Sequence, residues 1–452
     1  MKRRTFLGGA ALAVTGHAMG GEKKNAEQSA ATPASNSINE KPRSTPVVQT
    51  VDVCVLGGSC TGVFAAVRAA QMGAKVAIVE KQNAFGGVAT SGLVAIWHQL
   101  SDRKRDKTII GGLTKTMIER LTKIGACGNK AFGRSYNINT EELKIELDKL
   151  VLDHNITPYL HTFYASPFIE GDKIKAVFIE NKNGRQAITA KVFVDATDDG
   201  DLSRDIGIPF AIRKGLQPPT TCADIQGLPG NIQRLINKHG KEFGLVKDHG
   251  WGVGIPGTKD VSMCALTHVF NTNASDARQL TAAEIEGRRQ VRAYMNIARK
   301  YGGKNNTPVL LDLGAYIGIR ETRSFTGNYT LTEEDVLSCK RFPDAIANCS
   351  YHIDVHDPKT GAFKFKEPRG AFYQIPLSTM VSKKADNVVM SGRMISTDRS
   401  AFGGIRVMVN LNQVGEAAGV TASLAASENK AVSKVDAASV RKQLSKLGAV
   451  II

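Results

Sequence analysis

The chain has 452 residues, of which 42% are hydrophobic and 22% charged, with 44 glycines. This is the balance of a soluble globular protein, long enough for one large or two medium domains with a sizeable core. Its net charge of +17 favours anionic ligands or surfaces, but the basic residues are scattered and aromatics make up only 6%, so no basic-aromatic stripe marks a nucleic-acid face. The seven cysteines (Cys54, Cys60, Cys127, Cys222, Cys264, Cys339, Cys349) contain no C-x-x-C pair, which argues against a compact metal, iron–sulfur or redox motif, and an odd count does not build a fully paired disulfide framework.

The first predicted element is an export signal. "MKRRTFLGGAALAVTGHAMG" has a basic start, a short apolar run and small residues before Gly21, and Arg3-Arg4 followed by Thr5, Phe6 and Leu7 reads as a twin-arginine signal. The apolar run is too short for a stable membrane span, and no later segment is long enough. A stretch rich in Ala, Ser, Asn, Lys and Pro comes next and reads as a flexible tether. Val51, Val53, Cys54, Val55 and Leu56 form a near-continuous apolar run, as expected of a strand inside a parallel sheet. Val63, Ala66, Val67 and Ala70 have helical spacing over 62–72, and Gly73 stops that helix. "AKVAIVE", 74–80, is the next strand, so the three pieces make a strand–helix–strand unit of about thirty residues. "FGGVATSGL", 85–93, is a second glycine-rich stretch. "TEELKIELDKLVLDH", 140–154, predicts an amphipathic helix with Leu143, Leu147, Leu150 and Val151 on one face. "TPYLHTFYASPFIE", "KIKAVFIEN" and "RQAITAKVFVDAT" read as consecutive strands, the last two joined by an Asn183-Gly184 hairpin turn. Residues 216–380 lose the strand–helix rhythm. "NVVMSG", 387–392, is a last buried strand, and "NLNQVGEAAGVTASLAA", 410–426, is a helix of small residues able to pack closely on a sheet or a cofactor.

The turn between the first strand and helix, "GGSCTG", carries Gly57 and Gly62 where a G-x-G-x-x-G fingerprint has its first and third glycine, with Ser59 in the middle position. The turn opens a helix, whose free N–H groups and dipole offer an anion site. Glu80 closes the second strand eighteen residues past Gly62, near the spacing expected of a carboxylate that binds ribose hydroxyls. An acid there disfavours a 2′-phosphate. These features alone fit NAD and FAD equally.

The rest of the chain separates the two. "GGSCTGVFAAVRAAQMGAKVAIVEK", "FGGVATSGLV", "FVDATDDGDLSRDIGIPF" (193–210) and "ADNVVMSGRMISTDRSAFGGIRVMVNLNQVGEAAGVTASLA" (385–425), together with "IGIRETRSFTGNYTLTEEDVL" (317–337), resemble the FAD-dependent oxidoreductase family of glutathione-reductase-like, two-dinucleotide-binding-domain flavoproteins. The resemblance covers most of residues 51–450 and implies FAD as cofactor. It assigns to FAD, from the first stretch, Gly57, Gly58, Ser59, Cys60, Thr61, Gly62, Glu80 and Lys81. The second contributes Gly86, Gly87, Thr90 and Ser91; the strand run, Phe163; the third, Ala196, Thr197 and Asp198; the last, Gly392, Arg393, Gly404, Ile405 and Arg406. Two positions depart from the pattern. Ser59 replaces the middle glycine, and Asp198 replaces the glycine of an A-T-G segment, where its charge suggests helix capping and solvent contact.

The implied fold class is α/β: a discontinuous Rossmann-like FAD-binding domain, a parallel sheet plus a β-meander, with an inserted mixed α+β substrate domain. The expected division is signal peptide 1–21, flexible linker 22–50, FAD-binding domain 51–215, substrate or cap domain 216–380, and the C-terminal part of the FAD-binding domain 381–452. A helix N-terminus beside the flavin stabilises its reduced anion, and helix 410–426, preceded by "GGIRV", is the expected supplier, with Asn410 and Asn412 as edge contacts or simple caps. For catalysis, His98 comes just after the flavin-approaching stretch and is either the base that removes a substrate proton or a structural histidine. Arg320 and Arg323 flank Glu321 and either bind an anionic substrate or join Glu321 in a structural network; Arg406 is a third candidate. No Ser-His-Asp or His-Glu metal pattern stands out. The expected activity is hydride transfer from a small organic substrate, anionic in character, to flavin, with electrons passed to a quinone, a redox protein or oxygen in the periplasm. The alternatives are a flavin-dependent C=C reductase and a catalytically idle FAD-binding interaction protein.

Overall fold

The computed structural model describes residues 38–131, 135–246, 250–303, 307–359 and 362–452. The expected signal peptide and most of the linker lie outside the described residues. The chain divides into Met1–Ser44 and a compact unit, Thr45–Ile452.

Within the compact unit, strand β1 (Val47–Leu56) lies between β2 (Val76–Val79) and the long strand Gly184–Asp195, parallel to both. Val53, Cys54, Val55 and Leu56 are fully buried, as an apolar run covered on both faces requires. Thr157–Tyr159 extends the sheet beyond β2 in parallel. On the other side the chain makes the expected meander: Phe163–Glu170, Lys173–Asn181 and Gly184–Asp195 pair antiparallel in succession. The first half of Gly184–Asp195 pairs with the meander, and its last three residues pair in parallel with the closing strand Val388–Met390. The sheet therefore joins chain segments some three hundred residues apart.

Helix α1 (Cys60–Gln71) is buried along nearly its whole length because the sheet covers one side and the small-residue helix Met408–Glu428 covers the other. Gly415 and Gly419 are the reason the two helices can touch: a Cβ at either would lie 2.2 Å from the Thr61 carbonyl oxygen or 2.0 Å from that of Ala65. Arg68 and Glu416 form a buried ion pair across the contact, Arg68 Nε donating to Glu416 Oε2 at 2.7 Å, while Glu416 Oε1 accepts from the Leu113 backbone at 3.1 Å. The amphipathic helix Thr140–Asp153 is capped by Asn139 and buries Leu143, Leu147, Leu150 and Val151.

A second, smaller core lies in residues 223–313. Strands Trp251–Gly254, Val261–Ala265, Ala223–Gln226 and Val309–Leu313 form an antiparallel sheet in that order. The helix Ala277–Tyr301 covers one face, burying Val291, Tyr294, Met295 and Ala298 against Ala223, Ile225 and Cys264. The other face, with Val253, Met263 and Ala265, packs on Leu93, Ala95 and Ile96 and roofs a large cleft. Among the described residues no helix is long and apolar enough to cross a membrane.

Candidate active site

The cleft, of about 630 Å³, runs from the start of α1 to the start of helix Met408–Glu428 and under the smaller sheet. Its first end is built by the glycine turn. Gly57 has φ +101°, and a Cβ there would lie 2.1 Å from the Ala196 carbonyl oxygen; at Gly62 it would lie 1.9 Å from the Gly57 carbonyl oxygen. Only glycine fits either position. Ser59 is different: at φ −60° and ψ 169° it is in extended conformation as the residue that opens α1, so its backbone imposes no glycine requirement. Its Oγ is buried in the cleft wall with no partner among the described residues. The Gly58 N–H donates to Glu80 Oε2 at 2.6 Å, and Glu80 Oε1 accepts from Gln82 N at 2.8 Å. Burial raises the Glu80 carboxyl above its ordinary value against these hydrogen bonds and the nearby Lys81. Glu80 thus ties the turn to the end of β2, and lies behind the cleft wall rather than in it.

The second glycine-rich stretch packs on the same turn. The Gly86 N–H donates to the Gly58 carbonyl at 2.8 Å, and Gly86 and Gly87 both have positive φ. A Cβ at Gly87 would approach Ser59 Cβ to 2.9 Å. Thr90 is spent on the Phe85 carbonyl, at 2.6 Å; Ser91 is buried and outside the cleft wall. Cys60 and Thr61 line the cleft, and burial pushes the Cys60 thiol up to about 12, so it is an apolar wall rather than a nucleophile. Phe163 begins its strand next to Thr162, whose N–H bonds the Glu80 carbonyl, but its ring is exposed.

Ala196 and Thr197 support the turn from below: the Ala196 N–H donates to the Leu56 carbonyl at 2.7 Å, and Thr197 Oγ1 donates to Asp195 Oδ1 at 2.7 Å. Asp198 has φ +66°, a left-handed conformation that explains the glycine it replaces and that Asp tolerates better than most residues. It does not cap the next helix, whose N-terminal cap is Gly200. Its carboxylate instead pairs with Arg393 Nη1 at 3.2 Å, while Arg393 Nη2 reaches Asp199 at 2.5 Å. Gly392, φ +129°, leaves room for that pair, since a Cβ there would meet Asp198 Oδ1 at 2.6 Å. Asp198 and Arg393 both line the cleft.

At the far end, "AFGGI" closes a short helix, Arg399–Ile405, and a second helix starts at Met408. Gly404 and Ile405 are buried behind the wall. Among the described residues no side chain caps the second helix, and its residues Met408 to Asn412 line the cleft. Asn410 donates to the Gly404 carbonyl at 3.1 Å, while its Oδ1 and both polar atoms of Asn412 are buried without a partner among the described residues. Asn410 thus meets a carbonyl at the end of helix Arg399–Ile405, and neither Asn410 nor Asn412 caps helix Met408–Glu428. The helix start, Asn412, Arg393 Nε and Ser59 Oγ are unmet polar groups among the cleft-lining residues. Buried polar groups are nearly always satisfied, and an elongated ligand with a phosphate for the α1 N-terminus and ring acceptors and donors for the other end satisfies them. The residues present fit FAD.

The same cleft is lined by a set of titratable groups. His98 is half-buried, packs edge-on against Tyr351 with ring centres 4.4 Å apart, and leaves a buried Nδ1 without a partner among the described residues. Burial, with His352 and Arg406 nearby, pushes its pKa down to about 4, so the ring is neutral at pH 7 and a weaker base than a free imidazole. Tyr351 Oη donates to Asp354 Oδ2 at 3.2 Å, and Arg406 Nη2 donates to the same oxygen at 2.9 Å. His356 Nε2 lies 3.6 Å from it. Burial works to raise the Asp354 carboxyl, but Arg406, His356 and Arg320 together hold it well below the usual carboxylate range. Arg320 Nη1 donates to the Pro218 carbonyl at 2.5 Å and to Thr220 Oγ1 at 2.6 Å. His98, Arg320 and Arg406 all line the cleft. Arg323 does not. It donates to the Asp199 carbonyl and Asp201 Oδ1, both at 2.9 Å. Glu321 pairs with neither of its neighbours; it takes Arg213 at 3.0 Å. Tyr351, His352, Asp354 and His356 are absent from the candidates named from sequence. A signal for them exists: in "SYHIDVH" His352, Asp354 and His356 alternate, the period that puts side chains on one face of an extended segment.

Among solved structures, the chain resembles a geranylgeranyl bacteriochlorophyll reductase-like protein from Thermoplasma acidophilum (12% identity, 88% of this chain and 83% of that one, TM-score 0.46). It also resembles p-nitrophenol 4-monooxygenase from Pseudomonas putida (10% identity, 88% and 85%, TM-score 0.46) and a myxobacterial chondrochloren halogenase (13% identity, 87% and 79%, TM-score 0.43). No curated protein matches the chain. The family model described as FAD dependent oxidoreductase matches residues 52–444, a span that takes in every residue lining the cleft. The chain belongs to the FAD dependent oxidoreductase family, and its cofactor is FAD.

Proposed function

We propose that the protein oxidises a small organic substrate at this cleft and passes the electrons to a quinone, a redox protein or oxygen. The observation that carries the reading is that one cleft holds both sets of groups: unmet polar groups that suit FAD, and a neutral, half-buried His98 near an ionised Asp354 and two arginines. FAD, when bound, accepts the hydride released by a substrate C–H bond. The chain supplies the rest. His98 Nδ1 takes the proton that leaves with the substrate's oxidation. Tyr351 orients the His98 ring, and Asp354 holds Tyr351 and Arg406 in place. The glycine turn and the start of helix Met408–Glu428 hold the two ends of the cofactor. The basic N-terminus with Arg3-Arg4 supports loading of FAD in the cytoplasm and export of the folded protein, to a compartment where NAD(P)H is not freely supplied. The test is turnover with artificial electron acceptors in the absence of NAD(P)H. Such turnover is the expected result, and strict dependence on NADPH would overturn the reading.

A further inference from the structure

The chain that follows the last strand of the smaller core is tied down residue by residue. The Gly314 N–H donates to the Cys222 carbonyl at 3.0 Å and the Ala315 N–H to the Ser91 carbonyl at 2.7 Å. The Ile317 N–H donates to Glu284 Oε1, on the helix Ala277–Tyr301, at 2.7 Å, and Gly318 and Thr220 exchange backbone hydrogen bonds at 2.8 and 3.0 Å. Tyr316 stands between these anchors, and its side chain reaches the cofactor turn. Its Oη would lie 3.5 Å from a Cβ placed on Gly87, the same Cβ that would meet Ser59 Cβ at 2.9 Å. The charges of Glu80, Asp198 and Arg393 all act on the phenol. Ser59, Asp198 and Arg393 line the cleft, and so does Gly318 at the end of this strap.

Tyr316 is half-buried, and its hydroxyl has no hydrogen-bond partner among the described residues; the neighbouring Ser59 Oγ lacks one as well. Burial and the carboxylates of Glu80 and Asp198 hold the phenol well above its ordinary value, against Arg393, so it keeps its proton and is a donor. The two carboxylates are already engaged, Glu80 by the Gly58 and Gln82 backbone and Asp198 by Arg393. The Tyr316 and Ser59 side chains come together at Gly87, at the start of α1, where the first N–H groups have no helical partner. A phosphate is the acceptor that hydroxyls and helix N–H groups suit together. We propose that Tyr316 is a cofactor-binding residue contributed by the smaller core: its phenol donates to the diphosphate of FAD beside Ser59 and the N-terminus of α1. Bound FAD then ties the strap, and with it the smaller core, to the glycine turn.

The experiment is a titration of the apoprotein with FAD, read by flavin fluorescence, in the parent and in Tyr316→Phe, which keeps the ring against Gly87 and removes only the donor. The variant is expected to raise the Kd for FAD roughly 10- to 100-fold, as loss of a hydrogen bond to a charged group does, and to leave the denaturation midpoint of the apoprotein unchanged. The phosphorus NMR signals of bound FAD should shift between parent and variant, a readout that ring packing alone does not move. An unchanged Kd, an apoprotein midpoint that falls along with the FAD affinity, or phosphorus signals at their parent positions overturns the assignment. None of these readouts depends on the substrate or the electron acceptor.

Discussion

Ser59 and Asp198 show how one backbone angle decides whether a glycine can be replaced. Ser59, in extended conformation, gives up nothing but a hydrogen, and its hydroxyl lies in the cleft. Asp198 occupies a left-handed angle that favours glycine and is held there by Arg393. Gly57 has no such latitude. Gly57→Val is expected to abolish FAD retention and Ser59→Gly to leave the purified protein yellow, which flavin absorbance per chain checks. His98 carries a second prediction. In an unfolded chain its proton binds near pH 6.5, and in the folded protein near 4. Between these values the unfolded state holds more protons, so stability is full above about 6.5 and falls as pH drops toward 4, by on the order of 3 kcal/mol. His356, pushed down to about 3, acts in the same direction. Asp354, held low, acts only at still lower pH, where its protonation removes stability. Denaturant midpoints measured from pH 7 to pH 4 should show a shallower slope for His98→Gln than for the parent.

At the scale of elements, the packing of α1 on helix Met408–Glu428 depends on Gly415, Gly419 and the Arg68–Glu416 pair. Glu416→Ala leaves a buried guanidinium uncompensated and is expected to cost about 3–5 kcal/mol, while Arg68→Met with Glu416→Leu costs less because no charge is stranded. Chemical denaturation of both variants checks this. Much of this level was legible in the sequence. The apolar run of β1 and the leucine face of Thr140–Asp153 each express one local rule and stand where that rule puts them, while the hairpin forms one residue earlier than Asn183-Gly184, its turn residues being Lys182 and Asn183 with Gly184 paired to Asn181. What the sequence hid is long-range. Nothing local says that Glu321 meets Arg213 rather than its neighbours, or that Arg323 reaches Asp199 and Asp201; those pairings depend on how strands distant in the chain come together. The His352, Asp354, His356 alternation was readable as a face, but not as a face on the cleft.

At the scale of the whole molecule, the site exists only because the sheet takes its last strand from residues 388–390 and the smaller core supplies a roof. The cofactor turn, His98, Asp354 and Arg406 come from four separate stretches of sequence and meet in one cleft. The proposed chemistry requires FAD to lie along this cleft with its reactive ring beside His98. A crystal structure of the FAD-loaded protein tests that requirement. The pyrophosphate is expected at the N-terminus of α1 beside Ser59, and the flavin ring between the start of helix Met408–Glu428 and His98, with Asn412 bonded to it. A flavin ring placed away from His98 and Asn412, or a cleft that takes up no dinucleotide, would contradict it.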